Sequence, residues 1–307
     1  MSGIWMAFQG AISQGILWGV MVLGVYITYK LLNIADLTVD GSFALGGCTC
    51  AIMVVNYHMD PVAALFMAAL AGLLAGAVTG ILHTIFDIPA ILAGILTQIS
   101  LWSINLRIMG KSNVPLLQTD TIFISFSEMT GLSQSVSALI IGIIVAVLVV
   151  ILLYWFFGTE IGSAIRATGN NEQMVRAQGI DTKVTKLIGL MLGNALVGLS
   201  GGLICQSQKY ADINMGTGAI VIGLAAIVIG EVLMGKLISF GSKLTAAVIG
   251  SAVYFLIRAI VLQLGMNAND MKMLSAIIVA IALVVPVVSV KLKLMHSYDP
   301  NGEKEDA

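Results

Sequence analysis

The sequence predicts an all-α polytopic membrane protein, and three observations carry that reading. Of its 307 residues, 58% are hydrophobic and only 10% charged, against about 25% charged in a soluble domain. Mean hydropathy is +1.00, and apolar stretches long enough to cross a bilayer recur from residue 10 to residue 290. Lysine and arginine are also distributed unevenly between the two sides that alternating spans define. Most of such a chain cannot face water, so residues 1–307 read as one transmembrane domain.

A spanning helix needs roughly 20 mainly apolar residues. The lead MSGIWMAFQGAISQG has no positive charge and no small-residue cleavage pattern, so it reads as the approach to a first span rather than a cleaved signal. Hydrophobic segments follow at about 10–32, 41–57, 61–85, 88–109, 137–157, 185–206, 217–235, 243–265 and 273–291. The segments 41–57 and 217–235 are short, glycine-rich and preceded by acidic residues, which suits broken or re-entrant helices. Eight to nine segments are therefore expected.

Placing the polar stretch 158–186 inside puts Lys30, Arg166, Arg176, Lys183, Lys186, Lys236, Lys243, Lys291, Lys293 and Lys304 on the inner side. Lys111, Lys209 and Lys272 then fall outside, while Arg107 and Arg258 fall within spans. The positive-inside rule orients the N-terminus outside and the tail 292–307 in the cytoplasm.

Ala68, Gly72, Gly76 and Gly80 stand four apart, and Gly189 and Gly193 repeat the spacing. Small residues at that interval let helix backbones approach closely in lipid. The stretch Ile34-Ala35-Asp36-Leu37-Thr38-Val39 is echoed by Tyr210-Ala211-Asp212-Ile213-Asn214-Met215. Each leads into a glycine-rich apolar segment, on opposite sides of the membrane, as an inverted repeat would arrange them.

The inner stretch 158–186 is the longest polar connector on its side. Gly169-Asn170-Asn171 reads as a turn with Asn170 or Asn171 as N-cap, Glu172 to Gln178 as a short helix, and Gly179 as its stop. A short capped helix on the inner surface suits docking to a soluble partner. On the outer side, residues 110–136 form a long connector in which Ile122, Ile124 and Phe126 alternate with Phe123 and Ser125, hinting at a strand or a surface-lying segment. It is the candidate contact for an external binding protein, or else a cap over the outer mouth.

Several motifs carry a resemblance. Gly162-Ser163-Ala164-Ile165-Arg166-Ala167-Thr168-Gly169-Asn170 followed by Ala177-Gln178-Gly179-Ile180-Asp181 resembles the cytoplasmic coupling loop of ABC permeases of the branched-chain amino acid and ribose import group. Asp36-Leu37-Thr38-Val39-Asp40-Gly41-Ser42-Phe43, Pro89 to Thr97, and Asn269 to Ala276 resemble the subgroup of tryptophan/tyrosine permeases. The resemblance spans about residues 10–290. It implies a type II importer-like bundle working as a homodimer, two ABC ATPase subunits that hold ATP-Mg, and an extracytoplasmic substrate-binding protein in the bacterial inner membrane. By position it places Arg166, Asn170, Glu172, Met174, Arg176 and Gly179 at the ATPase contact.

The chain has no Gly-x-x-x-x-Gly-Lys-[Ser/Thr] loop of its own. No cofactor is expected in it, and with a net charge of -1 no nucleic-acid partner. Candidates for the translocation pathway are ionisable or polar groups at membrane depth, which are costly there unless shielded or functional. They are Asp36, Asp40, Ser42, Gln98, Asn105, Asn194, Asp212, Asn214, Glu231 and Arg258. Gln98 and Asn105 are seven apart and share a helix face. For Arg258, a structural pairing and a substrate carboxylate are both open. His58, His83 and His296 are scattered, no metal-ligand spacing appears, and no catalytic set stands out. The competing readings are an ion-coupled secondary transporter, favoured by the echo and by Asp36, Asp40 and Glu231, and a membrane-embedded enzyme.

Overall fold

A computed structural model describes residues 2–117, 119–235 and 239–265, together with 270, 273, 275–281, 284 and 288. The last expected segment, 273–291, lies partly outside the described residues. The tail 292–307, Lys236, Lys272, Lys291, Lys293, Lys304 and His296 lie wholly outside them.

Among the described residues, seven helices are long and apolar enough to cross a membrane. The first is α1 (Ser2–Tyr26), which continues through a π-helical turn at Ile27–Leu31. α2 (Thr38–Val55) and α3 (Pro61–Thr84) follow. Asp60 caps α3, accepting from the Val62 and Ala63 amides, and Pro61 occupies the first helical position, where a missing N–H costs nothing. α4 (Ala90–Met109) stops at Gly110, whose φ of +68° suits a left-handed helix terminus.

Strand β1 (Asn113–Pro115) and helix α5 (Ile122–Thr130) occupy the next connector, before α6 (Gln134–Phe156). Two polar-surface helices, α7 (Glu160–Asn170) and α8 (Glu172–Ala177), lead into α9 (Thr182–Gln208). Strand β2 (Tyr210–Asp212) pairs antiparallel with β1. The chain then enters α10 (Ala219–Met234) and α11 (Phe240–Gln263).

The core is built around α9, which packs on α1, α2 and α3. Backbone contact makes this possible. A side chain at Gly72 would strike the carbonyl of Asn194, and one at Gly198 would strike that of Ala68. The four-residue stripe of α3 therefore lies directly on α9, as its spacing predicts. Gly193 turns the other way, toward Gly24 and Thr28 at the lower end of α1. α10 and α11 pack on each other and on α1.

Large apolar residues of α3, α4 and α6 stay exposed, among them Phe66, Leu74, Ile99, Ile151 and Trp155. That is the surface a lipid-solvated bundle presents.

Four expectations change. Residues 41–57 form no broken helix, since α2 runs unbroken from Thr38 to Val55. Residues 122–126 are helical, not extended. Thr121 accepts the Ile124 amide as N-cap, and this local signal prevails over an alternation too short to pair with anything. Gly169 and Asn170 close α7 rather than forming a turn, so the inner stretch holds two helices and Asn171 alone is the cap of the second.

The segment 217–235 likewise holds one unbroken helix, Ala219–Met234, but a short one. α10 has 16 residues, about 24 Å at about 1.5 Å per residue, short of a hydrocarbon core of about 30 Å. The non-helical stretch ahead of it runs beside α2, with Met215 against Gly47 and Gly216 against the Asp40 carbonyl.

Candidate translocation and coupling sites

A buried polar network links α2 to its neighbours. The Asp36 carboxylate accepts the Thr38 amide at 2.9 Å and the Asn194 side-chain amide at 2.6 Å. Asn194 also donates to the Leu190 carbonyl at 3.0 Å and accepts from the Ser42 hydroxyl at 2.7 Å. Asp36, Ser42 and Asn194, three of the pathway candidates, thus form one cluster in which every polar group of the Asn194 amide is used. Beside it, the hydroxyls of Thr38, Thr79 and Thr97 form a chain at 2.7 and 2.9 Å that ties α2 to α3 and α4.

Asp40, one turn further along α2, serves the short helix α10. Its carboxylate accepts the Gly218 amide at 2.8 Å and the Ile220 amide at 3.0 Å. Those are donors at the start of α10 that have no partner within the helix, and the negative charge also meets the positive end of the helix dipole. Asp40 therefore caps a helix whose N-cap residue, Gly218, lies 178 residues later in the chain.

A cleft of about 260 Å³ opens beside it, lined by Asp40, Gln98, Trp102, Ser103, Asn105 and Thr217. Asn105 is 1% exposed, and neither polar atom of its amide has a hydrogen-bond partner. Gln98 and Asn105 line the same cleft, as their seven-residue spacing predicts.

The other candidates are more dispersed. Asp212 accepts the Asn214 amide at 2.8 Å, repeating the turn that Asp36 makes with Thr38, so the sequence echo is also a local structural one. Asn214 accepts from the Trp102 indole at 3.4 Å. Glu231 pairs with Lys30 at 2.9 Å in an exposed bridge, a kind that contributes little. Arg258 lies over the Phe255 ring, 5.7 Å from its centroid, with no ion pair among the described residues.

At the opposite end from β1 and β2, α7 and α8 form an elbow under the bundle. Gly162, Ile165 and Thr168 face inward, and the Thr168 and Thr185 hydroxyls meet at 2.9 Å. Glu172 organises α8. It takes Arg176 at 2.6 Å, Lys186 at 2.6 Å and the Thr182 hydroxyl at 3.0 Å. The Lys186 hydrogen bond, seconded by Thr182 and by the charges of Lys186 and Arg176, holds its carboxyl below the usual carboxylate range against some desolvation. Arg166 is exposed and stacks over Phe240 at 4.7 Å. Asn170, Met174 and Gly179 face solvent, with Ile180 beside them, and Gly179 has the left-handed φ of +82° that ends α8.

Of the six coupling candidates, Glu172 and Arg176 are thus committed to internal contacts. Arg166, Asn170, Met174 and Gly179 are exposed, and Arg176 keeps 58% of its side chain exposed beside its ion pair. Sequence reasoning missed Lys186 and Thr182 as anchors of α8. Their separation from Glu172, 14 and 10 residues, spans a helix and a turn.

Comparison with known proteins decides the family. Residues 7–284 match the model for the permease component of the branched-chain amino acid transport system. The chain belongs to that family.

This permease is 38% identical over 95% of its length to the tyrosine transport system permease protein of Clostridioides difficile, covering 94% of that protein. The ribose import permease protein RbsC of Escherichia coli K12 is 26% identical over 87% of the chain and 81% of the relative. An uncharacterized protein of Rickettsia prowazekii, RP368, is 31% identical over 89% of the chain. No solved structure matches.

The permease is accordingly a multi-pass membrane component of an ABC-type transporter. It translocates without catalysing, and ATP is hydrolysed in separate subunits. This decides against both the ion-coupled secondary transporter and the membrane-embedded enzyme. Among the described residues no group of three His, Cys, Asp or Glu could hold a metal. Cys48, Cys50 and Cys205 are buried free thiols.

Proposed function

We propose that the permease imports a small amino acid, an aromatic one such as tyrosine, as one half of a homodimer in the bacterial inner membrane. An extracytoplasmic binding protein delivers the solute, and the outer connector 110–136, with β1 and α5, receives it. Two cytoplasmic ATPase subunits bearing ATP-Mg dock on the α7–α8 elbow. The N-terminus lies outside and the tail inside, following the charge bias. The solute passes by the polar groups of α2, α4, α9 and α10, with Asp40, Gln98 and Asn105 lining the cleft.

One observation carries the coupling assignment. The elbow is held from behind by Glu172, Lys186 and Thr182, while Met174 (46% exposed) and Ile180 (36% exposed) face outward as an apolar pair. A rigid helix with an apolar tip is what a groove on a partner needs. The C. difficile relative's name supports the amino acid class.

The test is a pull-down of the tagged permease from native membranes in mild detergent. A stoichiometric ATPase is expected with the wild type and its loss with Met174→Asp/Ile180→Asp. An ATPase retained by that variant sinks the docking surface, and its absence from wild-type preparations that still transport sinks the reading as a whole. Native mass spectrometry should give twice the 32.3 kDa chain mass for the permease alone. A monomer, or pairing with a second type of permease, would refute the homodimer.

A further inference from the structure

Two cavities meet at Arg258. One is an open groove of about 590 Å³ between α1 and α11, lined by Ala11, Gln14, Phe255, Arg258 and Gln263 among others. The second, of about 240 Å³, lies against Gln14, Trp18, Gln208, Met215 and Arg258. Gln14 and Arg258 belong to both, so the guanidinium stands where the groove leads into the chamber. The chamber in turn shares Thr217 with the cleft that holds Asp40 and Asn105.

The chamber's cation lacks an anion among the described residues. Arg258 is permanently charged and donates only. It has no carboxylate within ion-pair distance among the described residues. Trp18 is 7% exposed, and its indole N–H, also donor-only, has no partner. A buried donor left unpaired is costly, and so is an uncompensated charge at membrane depth. The indole is also fixed in place. Its ring is tilted by 31° against Phe43, 4.6 Å between centroids, and by 43° against Phe255, at 5.4 Å, so the indole is an aromatic wall of the chamber with its N–H enclosed behind it.

One cation, with the amides of Gln14 and Gln208 lining the same chamber, suits a singly charged planar acceptor. Met215 and Ile222 give the chamber an apolar wall. Its volume is below the roughly 300–1,000 Å³ of drug-sized pockets, which limits the occupant to a small molecule.

The geometry points to this chamber as the binding site for the carboxylate of a small monocarboxylic solute with an apolar side chain, held by Arg258 with the Gln14 and Gln208 amides beside it. That the occupant is the transported cargo rests on the import reading above. The groove admits it, the chamber holds its carboxylate, and Thr217 marks the way to the Asp40–Asn105 cleft.

The test uses purified full-length permease in lipid nanodiscs and isothermal calorimetry. The probes are L-tyrosine, L-leucine and 3-phenylpropionate, each against its primary amide. At least one acid is expected to bind about tenfold or more tightly than its amide, the equivalent of one charge-assisted contact. Arg258→Gln should abolish the acid–amide preference. Gln14→Leu, at the other residue common to both cavities, should weaken the acid more than the amide. Arg107→Gln, on the exposed face of α4, should match the wild type.

Binding of none of the three acids overturns the proposal, as does equal binding of acids and amides. So does a preference that survives in both chamber variants. If Arg258→Gln does not fold, Gln14→Leu alone decides. ATP-dependent uptake in vesicles keeps the two readings apart. Uptake that needs ATP, with no carboxylate preference, sinks the chamber and spares the importer. Uptake without ATP, with the preference intact, does the reverse.

Discussion

Asn194 shows how a single side chain holds several elements. Its amide donates to Asp36 and to the Leu190 carbonyl and accepts from Ser42, so it ties α9 to the start of α2. Replacing it with alanine leaves a buried carboxylate and a hydroxyl short of partners. That should cost about 1–3 kcal/mol, read as a clear fall in the melting temperature of detergent-purified permease. Ser42→Ala should cost less, because the acceptor it abandons is only the Asn194 oxygen. Equal melting of Asn194→Ala and wild type would mean the network is not structural.

Asn194, Gln98 and Asn105 were legible in the sequence because an amide in an apolar run stands out. Trp18 was not. An aromatic among leucines and valines looks like any core residue, and only its place in the wall of a cavity distinguishes it.

Among the elements, α10 and α8 depend most on groups outside themselves. α10 draws its cap from Asp40, so Asp40→Ala should cost about 0.5–2 kcal/mol. It should also raise hydrogen exchange at residues 219–223, while Asp40→Asn retains much of the effect. Unchanged exchange in Asp40→Ala would show that the cap is dispensable.

α8 depends on an ionised Glu172. Its carboxyl is depressed in the folded state, so the stabilisation is fully present above the ordinary carboxylate value of about 4.3. It is lost as pH falls through the lower folded value. Exchange at residues 172–178, corrected for intrinsic rates, should therefore rise on acidification below that value, and Glu172→Gln should remove the pH dependence. A window that persists in Glu172→Gln would assign it to another group.

The short helix 172–178 was readable from its Asn171 cap and Gly179 stop. α7 was not, because Gly162 and Gly169 look like loop residues until each is seen packed against backbone, at Phe156 and Leu31. The strand hint at 122–126 failed because three alternating residues carry less information than one capping threonine.

At the scale of the molecule, the polytopic all-α character and the packing of α3 were legible because bilayer thickness and glycine spacing are direct physical constraints. The cavities were not, since each is assembled from helices far apart in sequence. The glycine axis makes a further prediction. Gly198→Val should abolish accumulation of folded permease, because its new side chain meets the Ala68 carbonyl and the Gly72 backbone. Gly10→Ala, with nothing within 4 Å, should express and melt like the wild type in size-exclusion and thermal assays. Normal yield of Gly198→Val would mean that α3 and α9 can separate freely.

The same axis bears on how such a protein diversifies. Where α9 meets α1, α2 and α3, the helices touch largely through main chain, so their mutual placement hardly depends on which larger residues occupy the remaining positions. The residues around the cavities are then released from the duty of holding the bundle together. A lineage can rewrite them one at a time, exploring new cargo while its architecture stays constant. Relatives named for a sugar and for an amino acid can in this way descend along a single backbone plan.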